Sequence, residues 1–178
     1  MVITDVGKTL RLRWKRDQGY LPMVSFDVGA LCAEVAHLIL PPGAPRIDVS
    51  FCENDTLACI TKLPDGASIY IHVLLNEGTT PPQVCRYIIT HELIHMVVPP
   101  ETIDGRQVYH TETFWSCEAQ AAPERAQVWA WIHLNFYPCI RRDERNERTI
   151  VKRNWKRFRG KSRCSWDFCA GTYGEPMY

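Results

Sequence analysis

The period of the hydrophobic pattern changes several times along this chain, and each change marks an element. Between Phe26 and Leu40, Leu31, Val35, Leu38 and Ile39 recur at helical spacing. That predicts a helix with one apolar face, stopped at Pro41-Pro42-Gly43, and its His37 is read as a surface residue. From Arg46 to Cys52 the pattern shortens to two, with Ile47, Val49 and Phe51 alternating with polar neighbours, which predicts a strand. Leu57 to Leu63 and Ala67 to Leu75 are two further strands, joined by the turn residues Pro64-Asp65-Gly66. His72 on the third strand is expected to face outward. Val84 to Val98 then contains neither Gly nor Pro and is apolar on nearly every side, the pattern of a core helix. Thr80-Pro81-Pro82-Gln83 supplies an N-cap, a proline at the first helical position and a capping Gln, and Pro99-Pro100 ends the helix. A turn-rich loop follows from Glu101 to Val108, then a helical run to about Ala122 and another from Glu124 to Phe136. The aromatics of that last run, Trp129, Trp131 and Phe136, are read as core. This order predicts an α+β fold with a short mixed sheet of about three to four strands packed on helices.

The core helix carries His91-Glu92-Leu93-Ile94-His95. Two histidines four apart on a helix share one face, so both imidazoles can reach one metal ion. Glu92, beside the first, is placed to take a proton from a water that the metal polarises. A buried helix bearing His, Glu and His would strand polar groups, and a metal ion satisfies them. Such a site needs a third protein ligand and an open fourth position. His110 is the best third ligand, because it stands at the start of a helical run whose Phe114 and Trp115 can pack on the core. Glu118 and Glu112 are the competitors, since a glutamate from a following helix can also complete an HExxH site.

The motif His91-Glu92-Leu93-Ile94-His95, followed by Ile103-Asp104-Gly105 and by His110 with Phe114-Trp115, resembles the SprT-like family of zinc metallopeptidases. The related YgjP-like peptidases share this logic with a shorter gap between the second and third histidines. The resemblance spans roughly residues 25 to 135. It implies a small zincin-like metallopeptidase domain, His91, His95 and His110 on Zn2+, and Glu92 as general base. It also implies that the last strand before the HExxH helix is the edge along which an extended peptide lies, and that the substrates are proteins bound to DNA. In one respect the chain departs from the family: Thr111 stands where SprT-like proteins often have Gly.

Charge alters the picture at the C-terminal end. Residues 1–140 carry a net −5, residues 141–163 a net +8, and the whole 178-residue chain only +1. A near-neutral total thus conceals a basic segment on an acidic body, and residues 141–178 are read as an appendage to a domain at 1–140. In that segment Lys152, Arg153, Lys156, Arg157 and Arg159 surround Trp155 and Phe158. Cations neutralise phosphates and aromatics stack on unpaired bases, so DNA is a candidate partner beside the protein or peptide substrate. The competing reading is a solvated tail whose aromatics dock on the domain. The first twenty residues also alternate Leu10, Leu12 and Trp14 with Lys8, Arg11, Arg13, Lys15 and Arg16, as an edge strand or a basic arm would. Two rivals to the peptidase reading follow: a DNA-binding protein with a structural zinc site, and a peptidase for a dedicated partner without nucleic acid. The eight cysteines are scattered and form no CxxC pair, which argues for reduced thiols and against a zinc ribbon. No run reaches the length of a membrane span and no signal pattern opens the chain, so a cytoplasmic or nucleoid-associated protein is expected.

Overall fold

The computed structural model describes residues 21–144, 147–161 and 164–173. The basic stretch around Lys8 to Arg16 lies outside the described residues. Asp27 opens α1 (Val28–Ile39), its carboxylate accepting from the Gly29 and Ala30 N–H groups at 2.8 and 3.0 Å. This satisfies two donors that a helix start leaves free. Val28, Leu31, Cys32 and Val35 form its buried stripe, and His37 is exposed.

The next three elements make one mixed sheet. β1 (Arg46–Cys52), β2 (Ala58–Leu63) and β3 (Gly66–His72) lie in the order β1-β3-β2, with β3 parallel to β1 and antiparallel to β2. Gly66 sits against Arg46, where any Cβ would run into the Arg46 carbonyl oxygen. Only glycine lets β3 begin this close to the start of β1. Three expectations are corrected here. The third strand ends at His72, and Val73–Leu75 is a 3-10 turn. β3 is the central strand, so the open edge belongs to β2. And His72 points inward, 1% exposed, because its Nδ1 accepts the Leu74 N–H at 2.9 Å to cap that turn. Its ring stands edge-on to Trp155 with centroids 5.0 Å apart, and burial pushes its pKa down to about 4.

α2 (Pro82–Val97) runs under this sheet. Pro81, not Thr80, is its cap residue, and Pro82 takes the first helical position; the Thr80 N–H is already used in a turn to the Glu77 carbonyl at 3.0 Å. Val84, Cys85, Ile88, Ile89, Leu93 and Ile94 are all buried. Removing each large apolar side chain from water contributes about 1.5–3 kcal/mol, so packing holds this helix more than its capping does. The stretch after it, expected as a loop, is a hairpin of β4 (Glu101–Ile103) and β5 (Arg106–Val108). Asp104 and Gly105 make its turn with φ of +51° and +74°, the left-handed pair that a two-residue hairpin requires. α3 (Glu112–Ala121) and α4 (Arg125–Phe136) complete the central layer.

The basic segment is not an appendage over its described residues. It forms the hairpin β6 (Ile140–Asp143) and β7 (Arg148–Val151), a 3-10 turn at Trp155–Arg157, and α5 (Trp166–Tyr173). Ile140, Val151, Trp155 and Cys169 are buried in the same core as Val84 and Trp131. The indole of Trp155 is therefore closed to base stacking, a correction to its reading as part of a nucleic-acid surface. Lys156 pairs with Glu53 at 3.1 Å, Lys152 donates to the Pro138 carbonyl at 3.2 Å, and Arg159 reaches the Met23 sulfur at 3.2 Å. Arg153 and Arg157 are exposed. All eight cysteines are free thiols, and burial pushes the Cys85 thiol up to about 12. Among the described residues no helix is long and apolar enough to cross a membrane.

Candidate metal centre

Helical geometry places His91 and His95 one turn apart on α2, their rings 5.0 Å apart and nearly perpendicular. The β4–β5 hairpin then turns the chain back, so that His110 arrives directly before α3. Thr111 is the N-cap of α3, its hydroxyl accepting the Phe114 N–H at 3.3 Å. A hydroxyl at this position thus has a structural task that glycine could not perform. The His110 ring lies 5.1 Å from that of His91 and 4.9 Å from that of His95. One ring nitrogen from each of the three lies within 4.8 Å of the others, and this half-buried group could hold a metal ion.

Phe114 is the floor of the site. It is fully buried, and its ring touches all three imidazoles, stacked on His95 at 4.5 Å and edge-on to His91 and His110 at 5.0 and 4.8 Å. Trp115 stacks on the outer face of His110 at 5.1 Å, with the Arg125 guanidinium 4.6 Å over its own ring. The aromatic pair after the third histidine therefore fixes ring orientation as well as packing α3 on the core.

Two carboxylates hold two of the rings from behind. Glu118 Oε1 lies 2.6 Å from His91 Nδ1, and Glu147 Oε2 lies 3.1 Å from His110 Nδ1. A ring whose Nδ1 proton points at a carboxylate presents the lone pair of Nε2. The Nε2 atoms of His91 and His110 face each other at 3.2 Å, a separation that two imidazoles sharing one proton or one metal ion both give. With a ring nitrogen of His95 also within 4.8 Å, this all-imidazole donor set fits a bound cation. This arrangement also places the competitors for third ligand: Glu118 stands behind His91 and Glu112 is exposed, so neither joins the cluster. Burial alone would raise the Glu118 carboxyl, but His91, Arg125 at 3.1 Å and the Tyr87 hydroxyl hold it below its ordinary value. Burial, helped by the charge of the other two rings, pushes His95 down to about 3. It is neutral at ordinary pH, as a ligand must be.

Glu92 is 6% exposed and lies against β2, where the Ile60 backbone N–H donates to it. Burial raises its carboxyl above the ordinary value, against the opposing pull of His91 and that N–H. A cleft of about 760 Å³ opens over the group, walled by β2 on one side and by the β6–β7 hairpin on the other. Tyr109 lines it, half exposed, with its ring 6.3 Å from that of His95. His133 stands apart on α4, between the rings of Trp129 and Tyr137.

Sequence reasoning missed three members of this site. Tyr87 donates its hydroxyl to Glu118 at 3.1 Å and accepts from Trp129 Nε1 at 2.9 Å, a chain of bonds ending on His91. Tyr87 had a signal, lying four residues before His91 on the same helix face. Trp129 was read as core alone. Glu147 had none: it comes from the segment 141–178 read as an appendage, and its φ is +51°. Comparison of the chain with known protein families, with curated proteins and with solved structures finds no match.

Proposed function

We propose that this chain is a zinc-dependent metalloendopeptidase of the SprT-like type, built on a zincin-like fold. The observation that carries the reading is the convergence of three imidazoles, two held through Nδ1 by carboxylates, beside a buried glutamate at an open sheet edge. His91, His95 and His110 would hold the ion through one ring nitrogen each, all within 4.8 Å of one another, with the His91 and His110 Nε2 atoms 3.2 Å apart. Three protein nitrogens leave a fourth position for substrate or water, the pattern of a catalytic site rather than a structural one. The bound ion would polarise a water and the scissile carbonyl. Glu92, made a stronger base by its burial, would take the proton from a water as its oxygen bonds to the scissile carbonyl carbon, and would return that proton to the amine nitrogen as the C–N bond breaks. The free edge of β2 holds an extended peptide through backbone hydrogen bonds, which places few demands on its side chains.

The test is elemental mass spectrometry combined with a proteolysis assay. Wild type should carry about one zinc per chain, His110→Ala should lose most of it, and Glu92→Gln should keep the zinc but lose at least about a hundredfold in cleavage rate. Zinc retained with activity unchanged in Glu92→Gln would leave a structural metal site instead. Association with DNA is the second reading, supported by the exposed Arg153 and Arg157 alone. Cleavage measured with and without added DNA separates it from a peptidase that works on protein only.

A further inference from the structure

The hairpin that supports His110 also shapes what can enter the cleft. β7 pairs with the chain just ahead of β2: Leu57 N–H donates to the Thr149 carbonyl at 2.9 Å, Val151 N–H to the Asp55 carbonyl at 3.0 Å, and Thr56 bridges to Ile150. This pairing stops at Leu57. Residues 58–63 have no strand on their outer side among the described residues, and that open edge faces the cleft. A peptide laid along it would continue the line that β7 begins, with its side chains alternately reaching the hairpin wall.

That wall and the far end of β2 are cationic. Arg142 and Arg148 come from the hairpin and Lys62 from β2, and all three line the cleft. Arg142 lies within electrostatic reach of His110, and Lys62 within reach of His95. Arg148 is partly satisfied by Asp143 at 3.3 Å, whereas neither Arg142 nor Lys62 has an ion pair among the described residues. The carboxylates that could neutralise them are engaged: Glu147 on His110, and Glu92 with the Ile60 N–H beside His91. Asp55, exposed on the chain ahead of β2, is the remaining carboxylate in the cleft lining.

On the peptidase reading, we infer that the cleft selects peptides carrying an acidic side chain close to the scissile bond, with Arg142 as the residue that reads it and Lys62, on β2, serving a second acidic position. A guanidinium beside a partly enclosed cleft can pair a carboxylate through two donors, and it repels a lysine or arginine at the same position.

The experiment uses the full chain loaded with zinc and a peptide series that varies one residue at a time, on either side of the cleaved bond, among Glu, Gln and Lys. Wild type should cleave the best Glu peptide with kcat/KM about tenfold above its Lys counterpart, a preference that falls as salt is added. Arg142→Gln should erase the preference and Arg142→Glu should reverse it, both with zinc content unchanged. In parallel, binding of the same peptides to zinc-loaded Glu92→Gln reads the charge preference without turnover. Tighter binding of Glu peptides there, with no cleavage of any peptide by wild type, would sink the peptidase reading and leave the acidic preference of the cleft standing. Equal handling of Glu, Gln and Lys peptides in both assays, or a preference that survives Arg142→Glu, overturns the inference.

Discussion

At the scale of single residues, the site depends on atoms that never touch a metal. Glu118 is fully buried and shares its carboxylate among His91, Tyr87 and Arg125. Glu118→Gln keeps the shape but removes the charge, and should weaken metal binding by about 10–100-fold, read by competition with a chelator. Glu147→Gln should do less, because Glu147 is 39% exposed and solvent can replace it. Phe114→Ala removes the floor beneath three imidazoles, and should cost about 3–5 kcal/mol of stability in the metal-free protein, measured by denaturant unfolding. His72 makes a prediction about acid. Its folded pKa near 4 lies below its ordinary value of 6.5, so the unfolded chain binds the proton first as pH falls. The stability it contributes is complete above about pH 6.5, declines between there and about pH 4, and is flat below. His72→Asn, which keeps an acceptor for the Leu74 N–H, should flatten the pH dependence of unfolding across that window. The inward turn of His72 was not legible in the sequence, because the alternation that set its face continues only to the 3-10 turn that its own ring caps.

At the scale of elements, legibility followed the range of the forces involved. α2 could be read from its unbroken apolar run, and its histidines from their spacing, because both are properties of neighbours along one helix. β1 has the bounds its alternation predicted. The order of strands was another matter. Nothing local distinguishes a central strand from an edge strand when both alternate, and β3 became central through a parallel pairing with β1 that joins residues twenty apart. The β4–β5 hairpin was read as a loop because three-residue strands carry too little pattern to register, although Asp104-Gly105 is a strong turn signal. Thr111 shows the reverse case, a departure from a family's pattern that became intelligible once it was seen to cap α3. Thr111→Ala should destabilise the protein by about 0.5–2 kcal/mol, and Thr111→Gly by less, in thermal unfolding monitored by circular dichroism.

At the scale of the whole molecule, the boundary drawn by charge is not a boundary in packing. The core cluster runs from Val28 on α1 to Cys169 on α5, so a chain cut after residue 140 loses Val151, Trp155 and Cys169 together and uncovers the face they occupy. It should fail to fold cooperatively, seen as loss of protection from limited proteolysis, whereas a free-standing domain would survive the cut. Charge misled here because Lys and Arg report only which face meets water. The few apolar residues between them, Ile150, Val151 and Trp155, decide what is buried.

The support that Glu147 gives His110 also sets an order in time. A ribosome delivers the HExxH helix first, the third histidine next, and the carboxylate that steadies it only 37 residues later. The last wall of the cleft arrives with the same hairpin. A growing chain thus carries an incomplete centre until nearly all of its core has emerged, and under the proposed function its cutting activity matures only once the chain that bears it is itself nearly folded.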